Sequence, residues 1–564
     1  MATAAQTIVE TLAAAGVEKV FGVIGTSTMD IADAIGNEPR LEFVSARQEE
    51  AAAHMADGYA RATGRLGVCL AHVGPGALRQ MYGIGGAWKD GVPILALTGN
   101  EVRRGTEDTL REGYHVLDVL ELHRPITKAA IQLRDPADAA STVNRALWLA
   151  TSGRPGPVLL DLPKDVIKQE LPARPRRVTA ASDRVPAVRT PAADDDVAAV
   201  ADLLAAATKP ALFVGAGALW SGATPALAEL AEHHNLPVVT TDGGRGALGE
   251  DHPLHLGVVA RQAGDHSAKR LLASSDLVIV VGAALSDVST FEWSAWPDTA
   301  RTVRVDIDPA AGQRGVPADR TVVADAHGFL TALGRRLTER GYRCGQDWSR
   351  PRADWEVGRR AYLDRADQPH PGTGVSPWRL VRALERLLPR EAVISIDSGL
   401  HSFFGKKLRV LEPRTYIRSA GLGAMGYSFP ALLGVAEADT GSVGVAFVGD
   451  GCLAMCLSEL ETAARRGSHV IVVVCNDATY SSQYNHQRRR FEGRAVGTEF
   501  TFTNFAAVAR AHGVRSHTVS FDDEVDDALA DALREKAPCL LDCRVDREVV
   551  PDTWIEGSGD TRVK

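Results

Sequence analysis

Three short stretches carry residue types that could do chemistry. The first is Gly449-Asp450-Gly451, which follows the apolar run VGVAFV and precedes the helical pattern LSELETAARRG. A second apolar run, HVIVVVC, then ends at Asn476-Asp477. Glycines at a strand end let backbone amides approach a phosphate closely, and the start of the next helix favours anions. Asp450 and Asp477 lie 27 residues apart, at the ends of strands that should be neighbours. Two such hard oxygens, with diphosphate oxygens, suit Mg²⁺. The plainer alternative is a surface turn with an aspartate. The second stretch is Arg47-Gln48-Glu49-Glu50, opening the helical pattern AAAHMADGYARATG; acids are also common at helix starts for purely structural reasons. The third is His72, between the strand-like GVCLAH and Val73-Gly74-Pro75-Gly76. A histidine at a strand end either moves protons or is a satisfied structural group.

The spacing of Gly449-Asp450-Gly451 and Asn476-Asp477 resembles the thiamine diphosphate (ThDP) motif, in which GDG is followed at a set distance by NN. Glu49 and its helix resemble the R-H-E-x-x-A-x-x-M-A-D-G-Y-A-R stretch of acetohydroxyacid synthases. The likeness covers nearly the whole chain and points to the acetohydroxyacid synthase/benzoylformate decarboxylase group of ThDP enzymes. It implies Asp450, the side chain of Asp477 and the carbonyl of Thr479 as Mg²⁺ ligands, with Gly449, Gly451 and Cys452 against the cofactor. Asp477 stands where the family has asparagine, adding a negative charge beside metal and diphosphate. The likeness also implies Glu49 as the catalytic carboxyl, bonded to the pyrimidine N1′ so that N4′ can remove the C2 proton.

Further matches extend it. Ser419–Tyr427 (SAGLGAMGY) resembles the family's S-G-G-L-G-T-M-G-F segment, which implies Met425 as the prop that bends ThDP and the Gly423 carbonyl as acceptor for the 4′-amino group. Asp397-Ser398-Gly399-Leu400-His401 aligns with a diphosphate-anchoring D-V-G-Q-H turn, leaving Gly399 and His401 as candidates and losing one contact at Leu400. His72 and Thr479-Tyr480 match decarboxylase-like members, so His72 is a second catalytic candidate. Thr26 takes a substrate-facing serine position. Ser482 and His486 stand where the synthases have Met and Trp; with Gln483 they make that wall far more polar and imply a substrate pair other than two pyruvates. The run Arg488–Arg490 reads as a solvated charge run. Ala283–Asp287 replaces the arginine-bearing segment with which the synthases hold FAD, so FAD is not expected, and the Gly215-Ala216-Gly217 turn reads as structural.

These residues need elements to position them. Apolar runs such as Val92–Leu97, Ala211–Val214, Leu277–Val281, Ala392–Ile396, Val443–Val448 and Val470–Cys475 suit parallel strands buried on both faces. They alternate with helical stretches such as Val197–Ala206 and Pro225–His233, the latter with Thr224 as candidate cap. The pattern predicts an α/β protein of three doubly wound parallel-sheet domains. Proline-rich, charged stretches at 171–193 and 344–376 read as linkers. They separate a pyrimidine-binding domain (1–170), a structural central domain (194–343) and a diphosphate/Mg²⁺-binding domain (377–550), with a tail at 551–564. Ser376-Pro377 reads as a helix start.

Composition narrows the function classes. The 564 residues carry a net charge of −8, with 45% hydrophobic and 24% charged residues. No basic excess advertises a nucleic-acid partner, and no apolar run approaches a bilayer span. The N-terminus lacks a basic start and an apolar signal core, which predicts a cytoplasmic protein. Seven scattered cysteines without C-x-x-C pairs read as reduced thiols. The expected function is ThDP/Mg²⁺-dependent carboligation of an acyl unit from a 2-oxo acid onto a second carbonyl. The alternatives are a decarboxylase releasing an aldehyde, a nicotinamide- or flavin-using oxidoreductase resting on the middle G-x-G, and a catalytically silent regulatory paralogue. Since Glu49 and the GDG turn fall on different domains, the resemblance implies a homodimer or homotetramer with sites between subunits.

Overall fold

The computed structural model describes residues 2–101, 112–171, 182–261, 264–368, 370 and 372–551. Residues 172–181 of the first expected linker and nearly all of the expected tail (552–564) lie outside them.

Three six-stranded sheets form, all of them parallel. The first runs in space Glu42–Ser45, Lys19–Gly22, Gly67–Ala71, Ile94–Asn100, Val158–Pro163, Ala129–Gln132. The third repeats this connectivity with Tyr416–Ile417, Val393–Ile396, Gly444–Gly449, Val470–Asn476, Cys539–Arg544, Arg515–Val519. The middle sheet differs, running Arg320–Val323, Arg301–Asp306, Leu277–Val281, Pro210–Val214, Val238–Thr241, His255–Val259. Its chain order is the doubly wound one built from two halves. The outer two parts are therefore one topology used twice, and the middle part is another.

Central strands such as Val470–Asn476 are buried at every position, as expected for strands covered by helices on both faces. In open sheets of this kind, ligands sit beyond the carboxyl ends of the strands, where the strand order reverses. In the third sheet that point lies between Val393–Ile396 and Gly444–Gly449. Parallel register sets Gly449 beside Cys475, so Asp450 and Asp477 emerge from adjacent strand ends.

The stretch 344–376 is no irregular connector. It carries the 18-residue helix Ser349–Ala366, pinned by buried Trp355, whose Nε1 donates to Asp265 of the central part at 2.9 Å. A buried residue every few turns suffices to dock a helix whose composition reads as solvated. Pro377–Leu387 begins with Ser376 as cap residue, as expected, but Ser376 is fixed through its backbone N–H to Asp522. The helix at Thr224–His234 takes Ala223, not Thr224, as its cap residue.

The central part has its own core, whereas one apolar cluster is shared by the first and third parts. Helix Glu49–Thr63 packs on Ser428–Ala436 through glycines. A Cβ on Gly58 would lie 1.9 Å from the Ala431 oxygen, and one on Gly434 would lie 1.9 Å from the Met55 oxygen. Backbone faces backbone at both points, so neither neighbour can rotate away. Gly434→Ala is therefore expected to destabilise the protein by about 2 kcal/mol or more. A chemical-denaturation midpoint unchanged from wild type would contradict this.

Candidate functional site

The third part builds a cleft of about 430 Å³ at its strand ends, with Asp242 and Val288 of the central part closing one side. Gly399, His401, Gly423, Met425, Gly449, Asp450, Gly451, Cys452, Asp477, Thr479, Ser482 and Gln483 all line it. Each was singled out in the sequence, and the fold gathers them.

Gly449 caps helix Asp450–Cys456, whose first residue is the aspartate itself. The turn is tightly packed: a Cβ on Gly449 would meet the His401 ring at 3.0 Å, and one on Gly451 would meet Tyr480 at 2.3 Å, so a larger residue would have to displace those rings. His401 is buried, and its Nε2 has no hydrogen-bond partner among the described residues. Burial, with Arg418 nearby, pushes its pKa down to about 3, so the ring is neutral and offers one unused N–H or lone pair to the cleft.

Burial and the adjacent charge of Asp477 push the Asp450 carboxyl up to about 7. Burial also raises Asp477, against hydrogen bonds from the Ser481 and Thr479 hydroxyls at 2.6 and 2.7 Å and the Thr479 amide at 3.0 Å. Next to Asp477 sits Ala478 with φ +56°, a left-handed conformation uncommon for alanine, and the backbone N–H groups of Ala478 and Thr479 reach the Asp450 carboxyl. Two close carboxylates that resist ionising together are what a divalent cation relieves. Among the described residues no cluster of three or more His, Cys, Asp or Glu side chains forms a metal site. The candidate donors, two carboxylates and the expected Thr479 carbonyl, would need ligand oxygens to complete an Mg²⁺ shell. The residues present thus fit a metal–diphosphate pair.

The loop Ser419–Gly426 is held from three sides. Asp90 accepts the Ala420 and Gly421 amides (2.9 and 2.6 Å), and the Tyr82 hydroxyl accepts the Met425 amide (3.0 Å). Asp397 accepts the amides of Gly426, Tyr427 and Ser428 (3.1, 3.1 and 3.0 Å). Asp397 is fully buried, and burial lifts its pKa to about 6 against those bonds. Its role is thus to fix the Met425 loop, while Gly399 and His401 face the cleft. Leu400, which replaces a polar residue of the aligned turn, packs into the core. Cys452 is buried with its Sγ on the Ser398 carbonyl at 3.3 Å.

The remaining predicted residues stand elsewhere. Among the described residues lining this cleft, neither Glu49, His72 nor Thr26 occurs. Glu49 starts its helix and lies over the Gly74-Pro75-Gly76 turn: a Cβ on Gly76 would sit 2.9 Å from its Oε1 and 3.3 Å from the His72 Cβ. Arg47 and Gln48 just before it are clamped to their own third part, through Glu459 (3.0 Å) and the Met455 carbonyl (3.1 Å). The next residue, Glu50, has its carboxyl raised by burial, against the opposing charge of Arg79. Thr26 is exposed, and Ser27 beside it is the buried residue that meets His72. His486 is exposed, one turn beyond Ser482 on helix Ser481–Arg490. Sequence reasoning missed Ser27, Tyr82, Asp90 and Arg547, which lines the cleft mouth. None belongs to a glycine-rich signature, so no local pattern marked them.

Three family models match this chain. Residues 2–122 match the thiamine pyrophosphate enzyme N-terminal TPP binding domain, 197–333 the central domain, and 397–543 the C-terminal TPP binding domain. The chain is 33% identical over 558 residues to the acetolactate synthase of Arthrospira platensis, covering 97% of this chain and 94% of that protein. It is 31% identical to the acetolactate synthase isozyme 3 large subunit of Escherichia coli (99% and 96% covered). It is likewise 31% identical to the probable acetolactate synthase large subunit of Methanocaldococcus jannaschii (96% and 92% covered).

Proposed function

The chain belongs to the thiamine pyrophosphate enzymes, in the acetolactate synthase family, and from that premise we propose that it is a Mg²⁺-dependent carboligase whose sites lie between two copies of the chain. The observation that carries this reading is the pairing of Asp450 and Asp477 beside Gly449, Gly451 and the unpartnered His401 Nε2. Bound ThDP would supply an acidic carbon that adds to a 2-oxo acid and stabilises the carbanion left when CO₂ departs. In this reading the chain's own residues bind and orient. Asp450, Asp477 and the Thr479 carbonyl hold the metal, and His401 with the glycine-turn amides holds the diphosphate. Met425, on its triply anchored loop, sets the angle between the two rings, and the Gly423 carbonyl receives the amino group. Ser482, Gln483 and Arg547 make a polar mouth suited to an acceptor or donor richer in oxygen than pyruvate. Helix Glu49–Thr63 supplies the carboxyl that bonds the pyrimidine ring. FAD has no part in the reading. Gly215 and Gly217 are accounted for by backbone approach, since Cβ atoms there would lie 2.4 Å from the Ala283 Cα and 2.7 Å from the Gly282 Cα.

The dimer reading rests on Glu49 standing apart from its own chain's cleft. A second copy must then present Glu49 to it, and two-fold symmetry makes two such sites. No helix among the described residues is long and apolar enough to cross a membrane. Mixing inactive Glu49→Gln and Asp450→Ala proteins after dissociation is expected to restore activity, because each mixed dimer regains about half its sites. Mixtures as dead as the parents would refute the inter-subunit site. The reaction itself is tested with a panel of 2-oxo acids, following CO₂ and product mass together. A product heavier than the donor's aldehyde by one acceptor supports carboligation; aldehyde alone makes the protein a decarboxylase.

A further inference from the structure

His72 has no nitrogen left for a substrate. Its Nδ1 lies 2.6 Å from the Ser27 Oγ and accepts from the Ser27 backbone N–H at 3.4 Å, while its Nε2 lies 3.2 Å from Nδ1 of His115. A backbone N–H can only donate, so Nδ1 of His72 is bare and its proton sits on Nε2. That Nε2–H must then donate to His115, whose Nδ1 is bare in turn. The His115 proton is left on Nε2, which makes no hydrogen bond to another described residue. Ser27 is locked as well, since its Oγ accepts the Val73 amide at 3.3 Å and is buried. Burial, followed by the neighbouring His115, lowers the His72 pKa, which keeps this neutral arrangement in place at neutral pH.

The geometry holds His115 as a built part. Its backbone is left-handed (φ +64°), its ring crosses His72 edge-on at 5.3 Å, and it stacks on Tyr114 at 3.8 Å. Its carbonyl fills the space a Cβ on Gly74 would need, at 2.3 Å. The Gly74-Pro75-Gly76 turn therefore carries His115 on one glycine and Glu49 on another. The charged groups that face His72 are Glu49, Glu101 and Lys164, the last two paired with each other.

We propose that His115, not His72, presents the working nitrogen: its Nε2–H is a fixed neutral donor to the substrate carbonyl oxygen as that oxygen gains negative charge. Ser27 and His72 act through it as positioning residues. A neutral imidazole held in one tautomer can stabilise an oxyanion without moving a proton. The proposal rests on the inter-subunit reading above, since the chain Ser27–His72–His115 lies outside its own cleft and beside Glu49.

The test uses the ThDP-loaded enzyme. His115→Leu should lower kcat/KM for the 2-oxo acid by about 100-fold, with ThDP affinity unchanged. His115→Gln, which keeps an N–H donor, should return to within about tenfold of wild type. Ser27→Ala should lower kcat in the wild-type background and add nothing to His115→Leu. Activity within threefold of wild type in His115→Leu, no rescue by glutamine, or additive losses would each overturn the proposal. Nitrogen-15 spectra of histidine-labelled enzyme give a readout that needs no turnover: His72 and His115 should each show a protonated Nε2 and a bare Nδ1, and Ser27→Ala, which keeps the backbone N–H, should perturb the His72 Nδ1 signal through loss of the hydroxyl bond without changing that tautomer. If the wild type converts no 2-oxo acid, the proposed reaction fails, and the spectra still decide the hydrogen-bond chain.

Discussion

Replacing Glu49 by glutamine is expected to leave a folded protein that takes up ThDP and Mg²⁺ but turns over about 10²–10⁴-fold more slowly. The structure separates the two effects. Glu49 is half-exposed at the first position of its helix, and it makes no hydrogen bond or ion pair with another described residue. Losing its charge therefore costs stability only through the helix dipole, about 0.3–1 kcal/mol. The adjacent Glu50 is the control: it lies near Arg79 and Tyr82 of its own first part, so Glu50→Gln should stay within a few-fold of wild type in turnover. Proton exchange at the acidic carbon of bound ThDP, followed by NMR, should slow in Glu49→Gln alone. Equal activities of the two variants would remove Glu49 from the chemistry and, with it, the reason for an inter-subunit site.

What the sequence reveals about this molecule follows the range of each interaction. The Gly449-Asp450-Gly451 turn was legible as a candidate site because it is local: a strand end, a glycine pair and an aspartate lie within a few residues, and Asp477 follows one crossover later. Strands such as Val470–Asn476 were legible because burial on both faces leaves an unbroken apolar run. The glycines at 58 and 434 gave no such signal, since a glycine inside a helix is locally unfavourable and its reason, a backbone 1.9 Å from the missing Cβ, lies in another domain. Helix Ser349–Ala366 was hidden for a related reason: its composition is that of a solvated stretch, and only Trp355 and Ala366 are buried. Ser27 and His115 were hidden because their meaning comes from pairing with His72 across three separate loops. The sequence pointed to His72 as proton carrier; the fold encloses it between the other two.

Asp477 carries the second large prediction. In the metal-free protein Asp450 titrates near 7 because it is buried beside Asp477. Its folded pKa lies above its unfolded one, so the folded state binds more protons than the unfolded between about pH 4 and 7. The metal-free protein therefore loses stability as pH rises through that window, and Mg²⁺ with ThDP should restore it. Below about pH 7 the metal must displace a proton from Asp450, so Mg²⁺ affinity should fall by about tenfold per pH unit. Asp477→Asn removes the neighbouring charge. It should stabilise the metal-free protein at pH 8, weaken Mg²⁺ there, and shift the fall in affinity to lower pH, because Asp450 then ionises more readily. An amide nitrogen cannot accept the Ser481 hydroxyl that now bonds Oδ2, so that tie survives only with its direction reversed, the amide donating to the Ser481 oxygen. Asp450→Ala, by contrast, removes a donor at the head of the helix and should cost at least about 100-fold in Mg²⁺-dependent ThDP binding and in turnover. The measurements are paired Mg²⁺ and ThDP titrations across pH 6–8, with melting curves of the metal-free proteins. If both variants titrate like wild type, the carboxylates are not the metal's ligands. If only Asp477→Asn does so, Asp450 holds the ion without it and the second acid is a loop tie to Thr479 and Ser481.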